Sequence, residues 1–126
     1  MGPVCEESHM KKGLDEIAIT DGRFSVAAFK FVYEGLAYTI KNIVGEQQHI
    51  SGQTLCEGLR RMAAEKYGRL APLVLRSWGL KTTRHFGEIV YTLIDYEWMS
   101  AQPTDTIDDF NNVYDLQTAF DDLVAF

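Results

Sequence analysis

The residues with the clearest potential for chemistry are two histidines and a glutamate. His85 and Glu88 stand three positions apart, so a helix would place both on one face, and His49 comes shortly before a predicted helix start. Imidazole and carboxylate groups bind zinc and similar divalent metals, but a site needs at least three protein ligands. The spacing brings only two together. His49, His85 and Glu88 are therefore weak candidates for a small metal-dependent enzyme, and no metal or other cofactor is predicted.

Four potential nucleophiles lack the neighbours that would activate them. A nucleophile needs an adjacent base, and the base needs a group that orients it. The sequence has no G-x-S-x-G motif. It also has no glycine-rich loop with the spacing that cradles phosphate. No catalytic residue is predicted among the candidates, which are Ser51, Ser77, Ser100 and Cys56.

Charge is sorted along the chain, whose net charge is −6. From residue 88 onward there is no Lys or Arg, and the acids are Glu88, Asp95, Glu97, Asp105, Asp108, Asp109, Asp115, Asp121 and Asp122. Residues 66–87 contain no acid, and their basic residues are Lys66, Arg69, Arg76, Lys81 and Arg84. Such sorting concerns partners more than fold. It predicts an acidic C-terminal surface that meets a basic protein partner, or the basic segment of another copy.

The basic residues also permit a nucleic-acid alternative. A short helix from Pro72 to Trp78, a glycine-containing turn and a longer helix from Thr83 to Trp98 resemble a helix-turn-helix unit. If residues 98–101 paired with residues 112–116, the C-terminal half would resemble a winged helix. Phosphate contacts supply most of a protein's non-specific affinity for nucleic acid. The acidic residues of the second helix and the negative net charge of the chain oppose such contacts. The residues that would bind are Arg69, Arg76, Lys81 and Arg84.

Apolar periodicity and capping residues predict a mainly α protein, a compact bundle of about five helices. Gly35 falls inside the second helix, where it indicates a close crossing with another helix. Residues 99–120 fit short helices or a β-hairpin equally poorly. Trp98 follows the main apolar stripe and would either fill the core or line an interface. The predicted helices are 11–19, 26–44 after Ser25, 51–67, 72–78 and 83–98.

Length and composition predict one domain over residues 10–126. The chain has 126 residues, of which 46% are apolar and 24% charged, as in ordinary globular proteins. No apolar stretch is long enough to span a membrane, and the two cysteines are too few for a disulfide scaffold. A cytoplasmic location is expected. Residues 1–9 lack periodicity and end in Ser-His, and the following Met10 suggests that they are a remnant of an expression vector.

Several segments between Phe31 and Phe120 together carry a family resemblance. They are FVYEGLAYT from Phe31, HISGQTLCEGLR from His49, VLRSWG from Val74 and FGEIVYTL from Phe86. The chain resembles a family of uncharacterised bacterial proteins known mainly from Planctomycetes and Verrucomicrobia. This chain departs from the family pattern at Arg69, where proline is usual, and at His85, where an acid is usual. The resemblance implies no activity, because the family has none assigned.

The leading hypothesis is a protein–protein interaction or adaptor domain without catalysis. The charge sorting and the lack of a recognisable active-site pattern support it. Trp98 and the basic residues Arg69, Arg76, Lys81 and Arg84 are the candidate binding residues. A winged-helix-like nucleic-acid binder is the alternative, and a metal-dependent enzyme is the third possibility.

Overall fold

The computed structural model describes residues 1–3, 12–44 and 50–121. Five α-helices occur within these ranges, which confirms the prediction of a mainly α bundle. No helix in them is long and apolar enough to cross a membrane. The elements are β1 (Gly2–Pro3), α1 (Leu14–Asp21), α2 (Val26–Thr39), a π-helix (Ile40–Val44), α3 (Gly52–Tyr67), a 3-10 turn (Gly68–Leu70), α4 (Ala71–Ser77), α5 (Thr83–Asp95), β2 (Met99–Ser100) and a second 3-10 turn (Ile107–Phe110).

Local signals determine most helix boundaries. The hydroxyl oxygen of Ser51 accepts a hydrogen bond from the Thr54 N–H at 3.1 Å, which confirms Ser51 as the N-cap of α3. Helix α5 ends three residues earlier than predicted. Glu97 has a φ of 69°, and the Trp98 N–H bonds back to the Leu93 carbonyl at 2.8 Å. This left-handed residue closes the helix and turns the chain toward β2.

Two glycines allow α2 and α3 to cross closely. A Cβ on Gly35 would lie 2.1 Å from Leu59, and one on Gly58 would lie 1.7 Å from the Thr39 hydroxyl. Both distances are far below van der Waals contact. The crossing point predicted at Gly35 is therefore confirmed, and Gly58 supplies the matching gap on the other helix.

The α4–α5 pair has the predicted helix-turn-helix order, but the hairpin that a winged helix would require, between residues 98–101 and 112–116, does not form. Strand β2 pairs antiparallel with β1, with Gly2 opposite Ser100 and Pro3 opposite Met99. Residues 112–116 form turns and bends instead of a strand. The Val113 N–H donates to the Thr83 hydroxyl at 3.1 Å, so this backbone is fastened to α5.

The first three residues belong to the folded domain. Met1 is fully buried, and its amino group donates to the Ile50 carbonyl at 2.8 Å and pairs with Asp105 at 2.9 Å. The vector origin of residues 1–9 stays a prediction. Cys5 and His9, expected to carry no function, lie outside the described residues.

Candidate interaction surface

The acidic segment, defined here as residues 105–121, is anchored by Phe110. This side chain is fully buried against two glycines. A Cβ on Gly87 of α5 would lie 2.7 Å from the phenyl ring, and one on Gly52 of α3 would lie 2.9 Å from it. The Thr83 hydroxyl donates to the Phe110 carbonyl at 2.7 Å. Phe110 thus joins the acidic segment to both helices.

Further contacts extend this attachment along the segment. The Tyr114 hydroxyl donates to the Cys56 carbonyl at 2.6 Å, and the Arg60 guanidinium donates to the Ala119 carbonyl at 3.0 Å. Leu116 and Phe120 are buried. Burial raises the pKa of Tyr114 well above its ordinary value. The segment is therefore part of the domain rather than a solvated tail.

Arg84, a predicted binding residue, is engaged within the chain. Its guanidinium lies 2.9 Å from an Asp108 oxygen, 2.9 Å from the Asn111 side-chain oxygen and 4.0 Å from Glu88. The charge sorting predicted for contacts between molecules is thus partly satisfied inside one molecule. A nucleic acid would have to displace Asp108 to reach this arginine.

His85 and Glu88 serve local structure. The Nδ1 atom of His85 accepts hydrogen bonds from the Lys81 N–H at 2.9 Å and the Thr82 N–H at 3.3 Å. Glu88 accepts from Arg23 at 2.9 Å. His49 lies outside the described residues, and within those residues no group of three potential metal ligands occurs.

The candidate nucleophiles also have structural partners. The Ser77 hydroxyl donates to the Val74 carbonyl at 2.6 Å, and the Ser100 hydroxyl to the Gly2 carbonyl at 3.4 Å. Cys56 is fully buried, and burial raises its pKa to about 12. A thiol with this pKa stays protonated near neutral pH, so it is a poor nucleophile.

Trp98 packs on its own domain. Its ring meets Tyr33 edge-on at 5.1 Å between centroids, and its indole N–H donates to the Lys12 carbonyl at 2.7 Å. The side chain is half-buried. These contacts favour the core interpretation over the interface one.

The remaining predicted binding residues divide into two places. Lys81 lines a pocket of about 430 Å³ between the start of α5 and the acidic segment, where Asp115 also lies. Arg69 lies just before α4 and Arg76 lies on it. Both are exposed, and neither forms an ion pair with a carboxylate in the described part of the chain. They are therefore open to a partner.

Two leucines that the sequence analysis missed share this surface. Leu70 is 62% exposed and Leu73 is 66% exposed, whereas Ala71 and Leu75 are buried on the opposite side of α4. Helical spacing could have predicted that Leu73 is exposed, because this residue lies two positions from each buried residue and therefore on the opposite face of the helix. We call the exposed set Arg69, Leu70, Leu73 and Arg76 the α4 face.

The chain matches no protein-family model, no curated protein and no solved structure. The resemblance to the bacterial family therefore stays a prediction.

Proposed function

We propose that this protein is a non-catalytic protein–protein interaction domain that binds an acidic partner surface through the α4 face. The observation that carries the proposal is the pair of exposed leucines beside two arginines that have no described ion-pair partner.

The leucines provide the driving force for binding. Fully burying an exposed leucine stabilises a complex by about 1.5–3 kcal/mol, so burying these two mostly exposed leucines would contribute a substantial part of a micromolar affinity. In the described part of the chain, the only other large apolar side chain so exposed is Ile19. The α4 face therefore combines the apolar centre and charged rim typical of a protein interface.

The arginines determine the kind of partner. Arg69 and Arg76 present guanidinium groups that form paired hydrogen bonds with carboxylates. An acidic helix with leucines on the same side would complement both parts of the face. The acidic segment itself is less suited to bind a partner, because its Phe110, Leu116 and Phe120 side chains are buried in its own domain.

A nucleic-acid partner is disfavoured by the same contacts. Arg84 is paired with Asp108, and Glu88 lies beside it on α5. The net charge of −6 repels a phosphate backbone. Exposed leucines contribute nothing to phosphate binding.

Fluorescence anisotropy with a synthetic labelled peptide tests the proposal. The peptide carries glutamates and leucines on one helical face. We expect binding that weakens at least tenfold in the R69E/R76E variant and in the L70S/L73S variant. Raising the salt from about 50 to 500 mM shortens the screening length about threefold, so binding should also weaken.

A matched control separates a local effect from the net charge. The K30E/K41E variant changes the charge by the same amount as R69E/R76E, at two exposed lysines on and after α2. It should bind the peptide nearly as well as the unaltered protein. Equal losses in both charge variants would contradict the proposal, as would preferential binding to duplex DNA or to anionic lipid vesicles.

A further inference from the structure

Ile19 is the third large apolar side chain that is exposed in the described part of the chain, and it lies on the same helix as two carboxylates. Ile19 of α1 is 83% exposed, and Asp15 and Glu16 precede it on the same helix. Beside it lies a mainly apolar groove of about 240 Å³, whose lining includes Phe24 and Val26. We call Asp15, Glu16, Ile19 and this groove the α1 face.

We propose that the partner of the α4 face is the α1 face of a second copy of this chain. This inference rests on the proposed function, because it names the acidic apolar surface that the α4 face would bind. Leu70 or Leu73 of one copy would enter the groove beside Ile19 of the other. The chain would thereby form a homodimer.

Charge complementarity supports this pairing. Asp15 and Glu16 have no ion pair with a basic residue in the described ranges, whereas the nearby Asp21 is held by Arg23 at 2.6 Å. These two carboxylates accept only backbone hydrogen bonds, from the Gly13 and Glu16 N–H groups, and they match the guanidinium groups of Arg69 and Arg76 in number and opposite sign. Each face also carries the apolar surface that the other needs.

The fold brings the two faces to the same region of the domain. The Ser25 N–H, just after α1, donates to the Trp78 carbonyl at the end of α4 at 3.2 Å. A Cβ on Gly79 would lie 3.0 Å from the Arg23 carbonyl oxygen. The loop after α1 therefore packs on the turn after α4.

This closeness favours a two-fold symmetric dimer. In such a dimer, α4 of each copy contacts α1 of the other, so one contact is made twice. The second contact is needed because a single short helix buries too little surface area. A standard interface buries roughly 800 Å² on each partner.

A charge-exchange experiment tests the inference by sedimentation velocity at about 50 mM salt, where screening is weak. The unaltered protein and the K30E/K41E control should form dimers. R69E/R76E alone and D15K/E16K alone should be monomers, because each places like charges against each other. An equimolar mixture of the two variants should form a heterodimer, because both reciprocal contacts then regain opposite charges.

A second variant protects the test against loss of folding. Glu16 accepts a hydrogen bond from the Gly13 N–H at the start of α1, so D15K/E16K can weaken this helix. I19K changes only an exposed side chain and places a lysine opposite the arginines. It should also be monomeric alone, with unchanged circular dichroism.

The outcomes distinguish this inference from the proposed function. If the unaltered protein is monomeric at every concentration, or if the mixture of R69E/R76E with a folded D15K/E16K stays monomeric, the inference is overturned. Continued salt-sensitive binding of the acidic peptide would then leave the proposed function standing. A dimer that is unaffected by R69E/R76E and by I19K would also overturn the inference.

Discussion

The acidic segment and the α4 face both carry concentrated charge, but they relate to the domain in opposite ways. The acidic segment buries Phe110, Leu116 and Phe120, and its Asp108 pairs with Arg84. The α4 face leaves Leu70 and Leu73 in solvent. A charged region is therefore available to partners only when its apolar residues are not already used for folding.

The same comparison assigns different consequences to mutations in the two regions. Side chains of the acidic segment should determine the stability of the domain. Side chains of the α4 face should determine binding and leave stability unchanged.

Phe110→Ala should have the largest effect on folding. Removing a fully buried phenyl group leaves a cavity between Gly52 and Gly87, and such changes lower the free energy of unfolding by about 3–5 kcal/mol. Urea denaturation followed by circular dichroism measures this. A loss below about 1 kcal/mol, the size typical of an average substitution, would show that the segment is not anchored at this point.

Tyr114→Phe should have an intermediate effect. It removes the hydroxyl that donates to the Cys56 carbonyl at 2.6 Å and leaves that acceptor without this partner. We expect a loss of about 1–3 kcal/mol in the free energy of unfolding, because the phenyl group keeps its packing. The matched control is Tyr96→Phe, at the residue that follows α5. The loss in the free energy of unfolding should be smaller for this control than for Tyr114→Phe.

Alkaline pH should lower the free energy of unfolding through Cys56, whose carbonyl accepts the hydrogen bond of Tyr114. Burial raises the pKa of Cys56 from 9.0 to about 12, so the folded state retains a proton that the unfolded state loses. The stabilisation is complete below pH 9 and is lost as the pH rises through the folded-state pKa. One retained proton gives a slope of at most about 1.4 kcal/mol per pH unit.

Urea titrations between neutral pH and pH 11 measure this slope. In Cys56→Ala the decline should be shallower, with Tyr114, whose pKa is also raised, accounting for part of what remains. An identical slope in the variant and the unaltered protein would exclude Cys56 as a cause.

L70S/L73S should have the smallest effect on folding. Both side chains are mostly exposed, and substitutions of this kind usually change stability by less than about 0.5 kcal/mol per site. Peptide binding should nevertheless fall at least tenfold. A large loss of stability would mean that the leucines pack within the domain, which would contradict the proposed division between the two regions.

Sequence patterns predicted the elements that depend on neighbouring residues. The Ser51 cap, the helix-turn-helix order and the Gly35 crossing are local or periodic features, and the structure confirms them. The acid-free stretch also predicts Arg69 and Arg76 as binding residues, and this stays a prediction. Both side chains are exposed, as are Leu70 and Leu73.

Contacts between distant residues escaped prediction. Strand β2 pairs with Gly2–Pro3 from the opposite end of the chain, which no pattern around Pro103 could indicate. The position of Arg84 in the basic stretch predicts a binding residue, but it does not indicate the ion pair with Asp108, which follows 24 positions later. Side-chain pairing across such separations depends on how the helices pack, and charge order along the chain does not specify that.

Two-dimensional amide NMR can identify the residues of this protein that contact the peptide, and so decide between the α4 face and the acidic segment. The labelled glutamate–leucine peptide is added to the isotopically labelled protein at low salt, and the shift of each amide is followed. We expect the largest changes to cluster at residues 69–77, with residues 105–121 nearly unchanged. Changes concentrated in the acidic segment, or no saturable change at all, would contradict the proposed function.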